Sequence, residues 1–338
     1  MKTYRYLALV ALAAAALFAM WCSRSRSAPP YRSDSGSVWT TDYHITYSCN
    51  RWLGDSVQVV LRRVDASASV YNDSSLVSRA NRNETSEVDE IFARLYTTSV
   101  VVHSGSAGAY DPTVQPLVEA WGFGRQSGAA PTQRALDSLM AVVGLGKTRL
   151  DGTRLLKSDE RVRFDFSSIA KGLACDEVGR MFTRNGVRNF LVEIGGEVLA
   201  SGVNSAGKPW HVSVDLPVAD SAATAHGAAV VLALDSCAVA TSGNYRKWHE
   251  HDGRRVSHLV DPRTGQATVS ALLSVTVIAS DCMTADAWAT ACMVMGEQRV
   301  KAAMERRHDL GVMTISTDDN GNYVVWSNAR FAENVVQQ

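Results

Sequence analysis

The sequence predicts an α+β fold, because helical and strand-like segments are interspersed without the regular strand–helix–strand spacing of a doubly wound sheet. Tyr43, Ile45 and Tyr47 alternate with polar residues, as in a half-buried strand. The apolar residues that follow have the spacing of one helix face: Leu53, Val57, Val60, Leu61, Val64 and Ala68. A chain of 338 residues, 46% of them hydrophobic, can bury a full core as one large domain or as two intertwined lobes.

One further helix and three further strands follow in chain order. Ser86 and Asp89 carry side chains that begin helices, and the glycine-rich run 104–109 ends the helix they start. Strands are predicted over Phe190–Ile194, near 230–234 and over 272–278, the first of them halted by Gly195 and Gly196. Segments 125–163 and 219–229 are predicted to be peripheral.

The first 21 residues have the plan of a secretory signal, with Lys2 and Arg5 before an apolar run that ends at Trp21. That run is short for a membrane span of about 20 residues, so export is predicted. Cys22 stands where a bacterial lipoprotein carries its lipidated cysteine, although Trp21 departs from the small residue usual before it. Plain cleavage and an uncleaved anchor are the alternatives. Residues 22–37 are predicted to be a flexible tether and residues 38–338 a single domain, anchored by lipid on the periplasmic side of a bacterial membrane.

Charge and cysteine content exclude several classes of protein. The 34 basic residues balance the 34 acidic ones and form no run beyond residue 32, so no nucleic-acid partner is expected. Apart from Cys22 there are five cysteines, an odd number with no Cys-x-x-Cys pair. A disulfide framework and a zinc site are therefore not predicted.

The segment from Phe164 to Asp176 is predicted to be a loop that opens into a helix, with Ser167 or Ser168 as its cap. The unpaired N–H groups of a helix start, together with Lys171 in the first turn, suit a phosphate. Asp165 has the wrong charge for a phosphate and can instead orient another group or face a cation. The structural alternative is an amphipathic helix with a hydroxyl cap and a solvated lysine.

A second short helix is predicted over residues 281–296, with Thr284 as its cap and Gly296 as its end. Asp286 and Thr290 are four residues apart and share one face of an otherwise apolar segment. A carboxylate and a hydroxyl can hold Mg²⁺ while substrate phosphates supply the other ligands. Alternatively, Asp286 responds to the helix dipole and Thr290 bonds back to its own helix.

The polar block 241–265 contains a hairpin signal at residues 252–253, which predicts that 245–248 pair with 256–260. His258 then leaves the sheet beside the turn at Asp261. A histidine held there can take a proton from a hydroxyl and return it to a leaving group. His249 and His251 flank the hairpin tip, where solvation is expected, and a purely structural role is the alternative for His258.

A series of motifs occurs in order along residues 38–300. They are 41–45, 71–81, 108–113, 165–176, 195–196, 241–245, 258–265 and 285–290. Together they resemble the FAD:protein FMN transferase (ApbE) family of bacterial exported flavin enzymes. The resemblance implies a fold akin to the tunnelling-fold proteins. It also implies an Mg²⁺-dependent reaction that splits FAD at its pyrophosphate, passes FMN to a threonine hydroxyl of an exported acceptor protein, with an electron-transport flavoprotein subunit expected, and releases AMP.

Site residues follow from the same resemblance. It implies that His258 is the catalytic histidine and that Ser168, Asp286 and Thr290 are the metal ligands. The flavin contacts it implies are Trp39, Tyr71, Ala109, Tyr110, Asp111, Asp165 and Lys171.

This chain departs from the family pattern in three places. The family usually begins its first motif Met-Gly-Thr, where this chain has Trp39, Thr40 and Thr41. Ser167 and Ser168 replace common glycines, and the side chain of Met283 offers no oxygen ligand where some members have one.

Two other functions fit the same motifs. An FAD pyrophosphatase would use the same site with water as the acceptor, giving FMN and AMP. A non-catalytic periplasmic FAD-binding lipoprotein would store FAD or carry electrons. His258 argues against the second alternative, because binding alone needs no acid–base group.

Overall fold

The computed structural model of the chain describes residues 29–123, 130–217, 227–244, 248–251, 254–268 and 271–337. Eight of its strands are β1 (Tyr31–Val38), β2 (Thr41–Ser48), β5 (Phe190–Ile194), β6 (Glu197–Ser201), β9 (Cys237–Gly243), β12 (Leu272–Ala279), β13 (Gly311–Thr317) and β14 (Tyr323–Ser327). These form one sheet in the order β1-β2-β5-β6-β9-β12-β13-β14, with every neighbouring pair antiparallel.

Three smaller sheets accompany it. The strands β7 (Trp210–Asp215), β8 (Ala228–Leu234) and β15 (Val335–Gln337) pair in the order β15-β8-β7. Two hairpins are formed by β3 (Thr148–Asp151) with β4 (Arg154–Lys157), and by β10 (Trp248–His251) with β11 (Arg254–Ser257).

The helices of the described residues are α1 (Gly54–Ala68), α2 (Leu76–Asn81), α3 (Glu90–Gly105), α4 (Gln115–Ala120), α5 (Gln133–Met140), α6 (Ala170–Arg184), α7 (Cys282–Met295), α8 (Glu297–Met304) and α9 (Ala329–Ala332). A short 3₁₀ turn covers Leu145–Lys147. Within the described part of the chain, no helix combines the length and the apolar character needed to cross a bilayer.

Two hydrophobic cores lie on opposite faces of the large sheet, because successive side chains of a strand point to opposite sides. In β9, Ala238 and Ala240 enter the main core with the helices, whereas Val239 between them enters the second core with β7 and β8. The predicted α+β class is confirmed. The strands predicted for the large sheet and the helices packed against it are present. The two predicted lobes share the strands of this one sheet.

The predicted tether is too long at its C-terminal end. Tyr31 to Val38 form β1, which pairs with β2 along its whole length. The serine-rich sequence is a strand because it lies at the edge of the sheet, where polar residues can face solvent. The folded part therefore begins before residue 31, and not near Val38.

Two predicted helix caps are wrong. Helix α6 follows Ile169, which makes no side-chain capping bond, so neither Ser167 nor Ser168 caps it. Helix α7 is capped by Asp281, whose carboxylate accepts from the backbone N–H of Thr284 at 2.8 Å. The prediction took Thr284 from the hydroxyl rule, but Asp281, a residue type at least as favoured as a cap, begins the helix three residues earlier. Gly296 ends the helix as predicted, with φ of 76°.

The hairpin of the polar block is present, with Trp248 opposite Ser257 and His251 opposite Arg254. The predicted pairing of residues 245–247, and most of the predicted loop 219–229, fall outside the described residues.

Candidate active site

Helices α6 and α7 meet near their N-terminal ends and fix one another through backbone and carboxylate contacts. The Asp286 carboxylate, 3% exposed, accepts from the backbone N–H of Gly172 at 3.0 Å. In the other direction, Asp176 of α6 accepts from the backbone N–H groups of Cys282 and Met283 at 2.8 and 2.9 Å. These are the first N–H groups of α7, which have no partner within the helix. Each helix thus supplies a carboxylate to the backbone of the other.

Gly172 allows this close approach. A Cβ at that position would lie 2.3 Å from the carbonyl oxygen of Cys282, which no side chain could tolerate without a backbone shift. The glycine therefore sets the distance between the two helices that carry the predicted phosphate and metal residues.

Lys171 points into a buried cluster of charges. Its Nζ lies 2.5 Å from Oε2 of Glu197, the first residue of β6, which is 2% exposed. Burial lowers the pKa of Lys171, but the charges of Glu197 and Asp286 outweigh burial and raise it. Burial and the neighbouring Asp286 raise the pKa of Glu197 to about 8, against the opposing effect of Lys171. The lysine is therefore held protonated at the start of α6.

Two of the three residues predicted to hold a metal, Ser168 and Thr290, each contact another hydroxyl group. Ser168 Oγ is 3.3 Å from the Tyr110 hydroxyl, and Thr290 Oγ1 is 3.2 Å from Ser242 Oγ. Burial raises the pKa of Asp286, because Lys171 and the Gly172 N–H offset only part of the cost of burying its charge.

This arrangement fits a divalent cation. Two buried carboxyl groups, Glu197 and Asp286, share one ammonium group, that of Lys171, and the raised pKa of each shows that the site favours a further positive charge, which a proton or a metal cation can supply. Hard oxygen donors of this kind suit Mg²⁺. The described residues contain no group of three or more His, Cys, Asp or Glu side chains placed to hold a metal, so a site here would also depend on hydroxyl, backbone or substrate oxygens.

The loop between α3 and α4 carries three of the predicted flavin contacts. It is stabilised by hydrogen bonds to the Asp111 carboxylate. Oδ1 of Asp111 accepts from the backbone N–H and hydroxyl of Thr113, and its Oδ2 accepts from the backbone N–H of Leu145. Ala109 and Tyr110 are 1% and 2% exposed. Burial raises the pKa of Tyr110. The Asp111 carboxylate is thus occupied in shaping the loop, and its predicted contact with a flavin stays a prediction.

Trp39 lies at the tip of the β1–β2 hairpin, where its Nε1 donates to Asp65 at 3.0 Å. The other oxygen of Asp65 accepts from Asn72, the neighbour of Tyr71, at 2.6 Å. Tyr71 is 65% exposed. Asp65 thus links Trp39 to Asn72, and Tyr71, next to Asn72 in the chain, lies in the same region as Trp39.

A small cleft contains two of the predicted flavin contacts and adjoins the predicted catalytic histidine. Tyr71, Asp165 and Phe123 line it, together with residues of α4. The ring of Phe123 lies 6.3 Å from the ring of His258 in a T-shaped arrangement. Asp165 belongs to the segment of the chain that leads through Ser168 into α6 and Lys171.

Sequence reasoning missed Glu197, Asp176 as a bridge between helices, and Phe123. Glu197 directly follows the Gly195–Gly196 turn, and an acid directly before the apolar run Val198 to Ala200 was a usable signal. Asp176 lies four residues after Gly172 on the apolar face of a predicted helix, and an acid on such a face was a second usable signal. Nothing local to Phe123 marks it, because its role comes from a contact with a residue 135 positions away.

Comparison with known proteins identifies the family of this chain. The model of the ApbE family matches residues 39–314. The chain belongs to the ApbE family.

Relatives of the ApbE family extend the match over most of the chain. A FAD:protein FMN transferase of Vibrio cholerae is 34% identical over 296 residues, which cover 84% of this chain and 87% of that protein. The FAD:protein FMN transferase of Escherichia coli strain K12 is 31% identical over an alignment of 348 positions, which covers 97% of each protein.

Solved ApbE structures share the fold. The flavin transferase ApbE from Vibrio cholerae superposes with a TM-score of 0.81 at 32% identity, covering 91% of this chain and all of that one. The apo form of the Pseudomonas stutzeri flavinyl transferase ApbE gives 0.80 at 30% identity, covering 92% of this chain and 98% of that one.

The structure shows where Trp39 and Thr40, which depart from the usual ApbE pattern, lie. Trp39 and Thr40 form the two-residue turn between β1 and β2, and both have positive φ, 50° and 63°. Turns of this kind favour Gly or Asn, and each other residue costs about 1 kcal/mol. Thr41, next in the chain, lies against Gly195, and Gly195 in turn lies against Lys171. The hairpin tip therefore borders the charged cluster.

Proposed function

We propose that this chain is a FAD:protein FMN transferase that moves FMN from FAD to a threonine hydroxyl of an exported protein and releases AMP. One observation carries the proposal. The segment from Asp165 to Lys171 joins the cleft beside His258 to the buried charges at the start of α6. A flavin dinucleotide requires both halves, an aromatic cleft for the flavin and a cationic site for the diphosphate. The names of the relatives support the same activity.

On the diphosphate side, the start of α6 supplies Lys171, whereas the backbone N–H groups of Ala170 and Gly172 already donate to Phe166 and Asp286. A lysine kept protonated by Glu197 and Asp286 can pair with phosphate oxygens while the helix N-terminus favours their charge. Binding the diphosphate here places the phosphorus of the FMN half toward the cleft, and the adenylate half becomes the leaving group.

We assign Mg²⁺ to Ser168, Asp286 and Thr290, supported by the raised pKa of the buried Asp286 carboxyl, which shows that a further positive charge is favoured beside it. When bound, the ion neutralises charge on the diphosphate oxygens as a Lewis acid. The protein holds Asp286 ready for it through the Gly172 N–H, and Asp176 keeps α7 in register.

On the acceptor side, His258 takes the proton of the threonine hydroxyl as its oxygen attacks the phosphorus of the FMN half. The new P–O bond forms while the bond to the bridging oxygen breaks, and the proton is available for AMP. General base catalysis of this kind contributes about 10²–10⁴-fold. Phe123, beside the histidine, makes that side of the cleft apolar and helps to keep water from competing with the threonine.

Two distinct alternatives use the same binding site. With water as acceptor the chain would be an FAD pyrophosphatase, and without chemistry it would be a FAD-binding lipoprotein. One incubation separates all three: the purified chain with FAD, Mg²⁺ and candidate exported proteins, with an EDTA control. Fluorescence that migrates with a denatured acceptor supports transfer. Free FMN and AMP without a labelled acceptor indicate hydrolysis, and unchanged FAD indicates storage.

The location of the protein is also proposed. The apolar run before Cys22 supports export and lipid anchoring on the periplasmic side of the membrane, where exported acceptors would meet the enzyme. Labelling of Cys22 by a fatty-acid analogue, absent in Cys22→Ser, tests the anchor.

A further inference from the structure

The part of the chain between the proposed anchor and the folded domain is short. Because β1 begins at Tyr31, the tether ends near Pro29 instead of continuing to residue 37. The seven residue steps from Cys22 to Pro29 span at most about 25 Å when fully extended. The end of the domain near Pro29 therefore cannot lie far from the bilayer.

The exit point of the tether is fixed to the end of β2. The carbonyl oxygen of Pro29 accepts from the Ser48 hydroxyl at 2.8 Å, and that of Pro30 accepts from the backbone N–H of Cys49 at 3.0 Å. The chain thus leaves the domain beside the loop that joins β2 to α1.

Four arginines surround this exit, and together with Trp52 they are called the basic end: Arg32, Arg51, Trp52, Arg184 and Arg188. Arg32 donates to the carbonyl oxygens of Cys49 and Asn50, and Arg51 donates to the side chain of Asn185. Arg184 precedes Asn185 at the end of α6, and Arg188 follows it in the loop to β5. Asn189, next to Arg188, accepts from the backbone N–H of Ser48 at 2.9 Å.

The charge of the basic end is not neutralised from within. Among the described residues, none of its four arginines forms an ion pair with a carboxylate. Arg51, Arg184 and Arg188 are exposed. The acidic residues nearest in the chain are Asp34, two residues after Arg32 on β1, and Asp55, in the first turn of α1.

Trp52 adds an exposed aromatic ring to this surface. It is 51% exposed, although its ring packs against Tyr47 and fills the space beside Gly54, where a Cβ would lie 2.4 Å from the indole. An indole held rigidly, half in solvent and surrounded by cations, has the amphipathic character of residues at bilayer–water interfaces.

We propose that the basic end rests on the surface of a bilayer containing anionic phospholipid. The inference depends on the proposed anchoring at the N-terminus. The arginines meet lipid phosphates while Trp52 enters the headgroup region.

Such docking sets the orientation of the active site. Helix α6 runs from Lys171 in its first turn to Arg184 in its last, and its 15 residues span about 22 Å. With the Arg184 end on the membrane, Lys171 stands up to about 20 Å away from it, and so acceptor threonines near that height are favoured.

The test uses the full chain reconstituted in vesicles of phosphatidylcholine, with or without one-third phosphatidylglycerol, containing lipids brominated near the headgroup. Trp52→Phe identifies the share of quenched tryptophan emission that comes from Trp52. We expect that share to be quenched in anionic vesicles, and the quenching to fall at least twofold in Arg51→Ser/Arg188→Ser and in high salt. The matched control Arg149→Ser/Arg161→Ser changes two arginines that are 71% and 70% exposed elsewhere and should behave as wild type.

Equal quenching in wild type and Trp52→Phe, or quenching indifferent to lipid charge and to the arginines, would overturn the proposal. So would a chain that does not float with the vesicles. A basic end that instead serves the acceptor protein predicts slower FMN transfer in Arg51→Ser/Arg188→Ser with unchanged quenching. Transfer to a soluble acceptor is measured in the same vesicles, so absence of transfer in every variant counts against the proposed function while the quenching result stands on its own.

Discussion

His258 is the residue on which the choice between transfer and binding depends. It lies beside Phe123, whereas Lys171 forms its ion pair with Glu197, so we expect the loss of His258 to leave FAD binding intact. We expect His258→Ala to bind FAD normally and to lose about 10²-fold or more in transfer rate, measured as flavin bound to the denatured acceptor. His211→Ala removes an exposed histidine of β7 and serves as the control. Normal turnover in His258→Ala would remove the histidine from the reaction.

Glu197 acts through Lys171 rather than on the substrate. In Glu197→Gln the buried ammonium keeps a hydrogen-bond acceptor but loses the counter-charge that Glu197 supplies once it ionises, above its pKa of about 8. A charge-assisted hydrogen bond contributes about 1.5–3 kcal/mol, so at about pH 9 kcat/KM for FAD should fall about tenfold or more. Steady-state titration with FAD measures this, with Glu333→Gln, an exposed surface glutamate, as the control. An unchanged kcat/KM in a stable Glu197→Gln protein would contradict the role.

At the scale of elements, the site depends on how closely α6 and α7 approach. Replacing a helical glycine by alanine usually adds up to about 1 kcal/mol of helix stability. At Gly172 the clash with the Cys282 carbonyl should win, because backbone must move, and the free energy of unfolding should fall by about 1–3 kcal/mol. Urea unfolding measures the difference.

Gly179→Ala on the same helix is the matched control for Gly172→Ala. Its Cβ would meet the end of the Leu199 side chain at 2.5 Å, which can move at small cost. Gly179→Ala should therefore cost less than Gly172→Ala. The reverse order would show that the interlock between the two helices is looser than described.

The bridge from Asp176 to α7 should make stability depend on pH. Burial raises the pKa of Asp176 from 3.8 to about 7, although two backbone N–H groups oppose the rise. Between about pH 4 and 7 the folded protein then keeps a proton that the unfolded chain has released. The free energy of unfolding therefore falls as pH rises through this range, by about 4 kcal/mol at most from this residue.

Urea unfolding at pH 5 and pH 8 tests the bridge. Asp176→Asn cannot titrate, so its stability should change less between the two pH values than that of wild type. Asp159→Asn is the control, because arginine contacts lower the pKa of Asp159 to about 2 and it does not titrate in this range. An equally steep change in Asp176→Asn would assign the pH dependence to other groups.

At the scale of the whole molecule, one eight-stranded sheet carries both cores and both ends of the active site. β2 and β5 bring the hairpin tip at Trp39 and the Gly195–Gly196 turn together, and β9 brings Ser242 to Thr290 on α7. Residues more than a hundred positions apart meet because their strands are neighbours in the sheet. Helix α6 then connects this site to the basic end at the opposite side of the domain.

The sequence determined what depends on local pattern and on ordered motifs. Period-two and helical spacing were sufficient for β2, β5, α1 and the α+β class, and the motif series was sufficient for the ApbE family. Local rules failed at the ends of elements. A polar strand such as β1 is stabilised by its neighbour β2, and the cap of α7 is Asp281, three residues before the hydroxyl that local pattern favoured.

Only the tertiary structure decided which charges share the site. Glu197, Asp176 and Phe123 acquire their roles from partners on other elements, and no spacing within the chain encodes those distances. The physical reason is that burial and electrostatics act through space. The sequence fixes which side chains can be ionised or buried, whereas the packing of α6 against α7 and β6 fixes which of them face one another.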